Sequence, residues 1–289
     1  MAWFNPVSVN GTTWLHSREG QVPLVVTAAH AGARRLTGVA QNDGGTLRDD
    51  PGNVGCSYND SPVDTRTDLV LEALFASLDW RGLRPYGVLP DVSRRDLDLN
   101  RRWDHNRIGY QNGGVSASAV SAAGAIYDAY YQELEAFIAD ANGRFASLPG
   151  PVIVVDVHGT GLPGGTDVAL GTRNGASAGA ARVYGDAGWA LSLHQAMKDV
   201  GFAVSPAPGG SESPLGGCHV LRANGTSGLG ADAIQLELDT SMRSASEAVR
   251  TGHRIANALR AFLRDNNYPA IQEEHPMSPD DEAYAALAL

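Results

Sequence analysis

The chain has 289 residues, 43% of them hydrophobic and 19% charged, enough apolar content to bury a large core and too much for bulk disorder. Its formal net charge is −10, and its 22 basic residues are scattered, which argues against nucleic acid or an anionic membrane as the main partner. Residues Met1 to Pro6 carry neither a basic nor an apolar targeting region and no window approaches a membrane span, so a soluble, cytoplasmic protein is expected.

In chain order, Val22 to Ala29 is an apolar, strand-like run that ends in His30-Ala31-Gly32. From Arg34 to Val63 the chain is rich in Gly, Asn, Asp and Pro without an apolar period, which predicts a long, substrate-facing loop. A helix is expected next, starting near Asp64 or Thr65, with Leu69, Leu71, Ala73, Leu74, Phe75 and Leu78 as its buried stripe. Asp64 could there serve simply as a helix cap. A third strand, Tyr86 to Val92, leads into Ser93 to Trp103, where Arg94, Arg95, Arg101 and Arg102 surround Asp96 and Asp98. Planar guanidinium groups grip carboxylates with two hydrogen bonds, so this block suits an anionic substrate group; a solvated ion-pair network is the plainer alternative. Ala117 to Ser147 is the longest predicted helix, a scaffold with tyrosines used for packing.

Val152 to Thr160 organises the rest. Its branched apolar residues read as a fully buried parallel strand, and it presents Asp156, His158 and Gly159 at its end, where open α/β sheets place their ligands. The glycine lets other groups come close. Gly159 to Gly165 form a loop without a phosphate-binding fingerprint. A helix over 186–200 and a short strand over 202–205 are expected, then a last strand, Ala233 to Asp239. Glu237 inside that apolar strand is costly unless it is paired in the core or used in chemistry. A helix from Ser244 to Arg264 closes the domain over 1–268, and 269–289 is an acidic tail. Cys56 and Cys218 lack metal or disulfide spacing and read as free thiols.

His30, Asp64 and His158 together could supply two imidazoles and a carboxylate to Zn²⁺, leaving a position for water while Glu237 takes its proton. No HExxH spacing occurs, and position 33 is Ala33, so such a site would be assembled from residues distant in sequence.

Ala29-His30-Ala31-Gly32, Asp64, Ser93-Arg94 with Asp98-Leu99-Asn100-Arg101, Asp156-Val157-His158-Gly159 and Gln235-Leu236-Glu237 occur in one order. In that combination the chain resembles the N-formylglutamate amidohydrolase family, and residues 166–175 also resemble a segment of it. The resemblance implies a single α/β domain: a central mixed, mostly parallel sheet flanked by helices, zinc-exopeptidase-like and similar to the metallocarboxypeptidases. It further implies metal ligation by His30, Asp64 and His158, and Glu237 as general base and acid. Asn100 and Arg101 would hold the substrate carboxylate, with Arg94, Arg173 and His219 completing the substrate-binding set. Ala29-His30-Ala31-Gly32 departs from the family's usual Pro-His-Ser-Gly, and the stretch after Glu237 lacks the usual aromatic residue. The expected reaction class is therefore amide hydrolysis of an N-acyl, amino-acid-like substrate, without a commitment to formylglutamate. The alternatives are a related metallohydrolase acting on a small peptide or ester, and a silent binding protein on the same fold. The expected partner is a small acidic molecule, with no nucleic acid and no membrane; homo-oligomerisation stays open.

Overall fold

The structure, a computed structural model, describes residues 4–37, 64–94, 96–101, 103, 117–148, 150–179, 181–185, 190–212, 219–225, 228–266 and 268. Most of the predicted 34–63 loop, the thiols Cys56 and Cys218, Arg95, Arg102 and the 269–289 tail lie outside them.

An eight-stranded sheet runs through the molecule in the order β1-β2-β4-β3-β5-β8-β6-β7. Its middle is parallel: β3 (Leu24–Thr27) lies between β4 (Tyr86–Pro90) and β5 (Ile153–Thr160), and β5 pairs with β8 (Asp232–Asp239). On one side β1 (Asn5–Val9) and β2 (Thr12–Arg18) form a hairpin that joins β4 antiparallel. On the other, β6 (Val168–Gly171) runs antiparallel to β8, and β7 (Val204–Ser205) parallel to β6.

Helices cover both faces. Side chains alternate along a strand, so β5 sends Ile153, Val155 and Val157 to one face and Val154, Asp156 and His158 to the other. The first face packs beneath α1 (Thr67–Trp80), α3 (Leu193–Asp199) and α5 (Ala248–Asp265). The second packs beneath α2 (Ala117–Arg144) and the short α4 (His219–Asn224). Each fully buried Val, Leu or Ile in these layers contributes about 1.5–3 kcal/mol, which is why the continuous apolar runs form the central strands.

Five helix details differ from the sequence reading. Leu69 is 37% exposed and Val70 takes its place in the buried stripe of α1. That helix starts at Thr67, just past the expected Asp64 or Thr65, and α2 stops at Arg144, short of Ser147. Of the helix expected over 186–200, α3 covers Leu193–Asp199, started by Ser192, whose hydroxyl accepts the Gln195 N–H at 3.1 Å. The final helix begins at Ala248, after a turn at Ser244. No helix among the described residues is long and apolar enough to cross a membrane.

Candidate metal centre

The carboxyl ends of β3, β4, β5 and β8 open onto one buried site. His30 follows β3 by three residues, His158 lies in β5, Glu237 in β8, and the Arg94–Arg101 block follows β4. Asp64 arrives from the segment before α1, its N–H donating to the His30 carbonyl at 3.3 Å. Its side chain does not cap that helix. It turns inward instead, where Oδ2 accepts the Gly159 N–H at 3.1 Å and lies 3.0 Å from His158 Nδ1 and 3.5 Å from His30 Nδ1.

One donor atom from each of His30, Asp64 and His158 falls within 4.8 Å of the others, and all three residues are buried. The tautomers follow from the outer partners. His30 Nε2 lies 2.7 Å from Asp98 Oδ1 and His158 Nε2 lies 2.7 Å from Asp156 Oδ2. A carboxylate only accepts, so each Nε2 carries its hydrogen; with an ion bound, each ring would be neutral and would offer it the Nδ1 lone pair, beside Asp64. His30 Nδ1 is buried without a hydrogen-bond partner. Donors about 2.1 Å from a tetrahedral ion stand about 3.4 Å apart, so these residues fit a small divalent cation. Carboxylates behind ligating imidazoles are the usual device for fixing ring orientation.

The charges agree. Burial alone would raise the Asp64 carboxyl, but the hydrogen bond with His158 and the neighbouring His30 ring hold it well below the usual range. Asp98 is likewise held low against burial, by Arg101, His30 and Arg94. Burial disfavours the charged form of His158, yet Asp156 and Asp64 on either side push it well above the ordinary imidazole value. The pocket is built to hold positive charge at that point. Glu237 goes the other way: burial raises its pKa, opposed by the His158 charge. It makes no ion pair among the described residues, and its Oε1 accepts from Gln235 Nε2 at 2.7 Å. The core salt bridge considered for Glu237 is therefore absent among the described residues.

The fold and this geometry can be set beside known proteins. No family model matches the chain, and no curated protein matches it. Among solved structures, N-formylglutamate amidohydrolase from Ralstonia eutropha superposes with a TM-score of 0.54 at 14% identity, over 88% of this chain and 97% of that one. The chain has the N-formylglutamate amidohydrolase fold. A gene product of Agrobacterium tumefaciens superposes equally well, with a TM-score of 0.55 at 14% identity, over 88% of this chain and 93% of that one.

On that amidohydrolase fold the remaining expected residues take distinct places. Arg94 donates from Nε to Asp98 Oδ2 at 3.1 Å, and its Nη1 lies 4.0 Å from Asp64 Oδ1. Both Arg94 and Arg101 are buried, and the Arg101 side chain donates to the Asn100 carbonyl at 2.9 Å. Asn100 accepts the Val220 N–H at 2.9 Å, and its Nδ2 lies 3.3 Å from His158 Nε2. His219 opens α4 and lies against Tyr127 and Tyr131. Arg173 is half-buried with a left-handed backbone at φ 54; burial and the neighbouring Arg222 lower its pKa.

Sequence reasoning missed several contributors. Asp98 and Asp156 orient the imidazoles. Asp156 was readable, because residues two apart on a strand share a face. The α2 tyrosines do more than pack: Tyr131 and Tyr127 donate to the Leu99 and Arg101 carbonyls at 2.6 and 2.9 Å, clamping the block that carries Asn100. Glu212 accepts the Thr172 and Asn174 N–H groups, each at 2.7 Å, and so holds the turn that carries Arg173.

Proposed function

We propose that the protein is a zinc-dependent hydrolase that cleaves the amide bond of a small N-acyl, amino-acid-like substrate bearing a carboxylate. The observation that carries this reading is the pair of imidazoles with carboxylate-held Nε2 atoms and Nδ1 atoms facing Asp64, beside a buried Glu237. His30, Asp64 and His158 would hold the ion. A bound Zn²⁺ supplies a Lewis acid for the scissile carbonyl and lowers the pKa of water.

The chain's own residues account for the rest. Glu237, at an elevated pKa in a buried setting, accepts a proton from the attacking water and returns it to the leaving nitrogen. Gln235 fixes one carboxylate oxygen of Glu237 and leaves Oε2 for that transfer. Arg101, Arg94 and Asn100 lie on the block after β4, and Arg173 on the turn after β6; a substrate carboxylate is assigned to these groups. The buried wall of Tyr127, Tyr131 and Tyr130 behind them keeps the region poor in water, which strengthens each charged contact.

The same apparatus would open a small peptide or an ester, whereas a silent binding protein would need no ionisable Glu237 next to His158. Metal analysis of the purified protein, followed by a screen of N-acyl amino acids, dipeptides and esters, separates these readings. Release of a carboxylate from N-acyl amino acids alone supports the proposal. Metal-loaded protein that turns over no amide or ester defeats it.

A further inference from the structure

Asp64 reaches the site on a segment that no strand of the sheet carries, so something besides the ladder must hold it. Two residues on, Arg66 has a left-handed backbone at φ 62 before α1 begins. A non-glycine residue there is strained and persists only where its surroundings over-determine it.

Arg243 supplies that restraint. It ends the single turn Ser241–Arg243 after β8 and is buried. Its Nη1 donates to the Thr65 carbonyl at 2.7 Å, its Nε to the Leu238 carbonyl at 3.2 Å and its Nη2 to the Thr160 carbonyl at 3.4 Å. One guanidinium thus ties the residue after Asp64 to the carboxyl ends of both β5 and β8. The group lies directly on Gly159: a Cβ there would come within 2.1 Å of Arg243 Cζ. Gly159 in turn donates its N–H to Asp64 Oδ2 at 3.1 Å. All three of these donors go to main-chain carbonyls, so the fork sets geometry among three chain segments.

We propose that Arg243 is a positioning residue for the metal centre: it staples the Asp64 segment to the ends of β5 and β8 and thereby keeps the carboxylate at the two Nδ1 atoms, with Gly159 providing the surface on which it lies. This rests on the reading of His30, Asp64 and His158 as metal ligands. The assignment is separate from substrate recognition, because the three hydrogen bonds of Arg243 all go to main-chain carbonyls of the protein.

The test uses Co²⁺ as the probe, with chelator competition for affinity, visible absorption for ligand geometry and melting temperature for the fold. Arg243→Ala should weaken Co²⁺ binding about tenfold to a hundredfold and alter the absorption, the range seen when groups supporting metal ligands are removed. Arg243→Lys should recover part of the loss, and Gly159→Ala should reproduce it by displacing the guanidinium; these two carry the test if Arg243→Ala does not fold. In an Asp64→Asn background, Arg243→Ala should cost little further affinity, since both changes act through one carboxylate. Wild-type affinity and absorption in Arg243→Ala, or an equal and additive loss in the Asp64→Asn background, overturns the role of Arg243 alone. Wild-type protein that takes up neither Co²⁺ nor Zn²⁺ overturns the metal centre and this role with it.

Discussion

His158 on β5 and Glu237 on β8 are direct partners in the parallel register, as are Asp156 and Gln235 two residues before them. Partners in register share a face, so the sheet itself sets the proposed general base beside an imidazole of the candidate metal site, and sets the group that orients each of them one step behind. Two hydrogen bonds complete the square: Asp156 to His158, and Gln235 to Glu237. The site is thus built into the ladder on this side, and completed from segments outside it by His30 and Asp64.

The first expectation is stoichiometric metal. With three buried donors converging only in the folded chain, about one Zn²⁺ per protein should copurify, and His30→Ala or His158→Ala should abolish most binding. Elemental analysis decides it; protein that holds no transition metal and takes none up on incubation removes the centre.

A second expectation separates the outer carboxylates from the ligands. Asp98→Asn and Asp156→Asn keep shape but cannot hold the imidazole N–H in the same way, so each should lower metal affinity about tenfold to a hundredfold without abolishing it. Affinity equal to wild type in both variants would mean that the rings are oriented by packing alone. Asp98→Asn should also lower stability, because Arg94 loses its charged partner.

Recognition of the substrate carboxylate gives a third expectation. Arg173 is half-buried with its charge opposed by Arg222, so a bound anion would relieve a repulsion already present. Arg173→Ala should raise KM for the identified substrate about tenfold to a hundredfold with kcat largely kept, the size of a lost charged hydrogen bond. Arg101→Lys should weaken the substrate as well, because the ammonium keeps the charge but loses the fork. Kinetics unchanged in both variants would place the substrate's charge elsewhere or show it to be absent.

How far the sequence could be read depends on where each feature's signal lies. The central strands were legible because β3, β4, β5 and β8 are buried throughout almost their whole length, and burial on both faces leaves continuous apolar runs. The β1–β2 hairpin was overlooked although Asn10 and Gly11 mark its turn, with φ values of 52 and 77. Its strands are only partly buried and carry too few apolar residues to stand out. Leu69 was misassigned because helical spacing cannot tell which of two adjacent apolar residues, Leu69 or Val70, meets α5. The short α4 had no periodic signal at all; Asn100, remote in sequence, holds its first turn. At the candidate site, the donor types followed from the chemistry of His and Asp, but Arg243 could not be read, since its partners are main-chain carbonyls that leave no trace in residue identity, nor could Glu212, whose partners are main-chain N–H groups and two hydroxyls remote in sequence.

The last expectation isolates chemistry at Glu237. A carboxylate that relays the proton from water to the leaving nitrogen acts in the transition state, so Glu237→Gln should leave metal content in place and lower kcat about a hundredfold to ten-thousandfold. The amide still accepts from Gln235 and fills the same volume, but it takes no proton. Stability supplies the contrast. Burial raises the Glu237 pKa, so its ionised form is disfavoured by folding; that cost is present above the folded pKa and disappears in acid. In metal-free protein at neutral pH, Glu237→Gln should therefore melt no lower than wild type, and the two should converge as the pH falls. A structural ion-pair partner would behave in the opposite way, losing stability while each folded molecule kept its turnover. Melting temperature, metal content and kcat measured on one preparation distinguish the two, and a destabilised but fully active variant would take Glu237 out of the reaction.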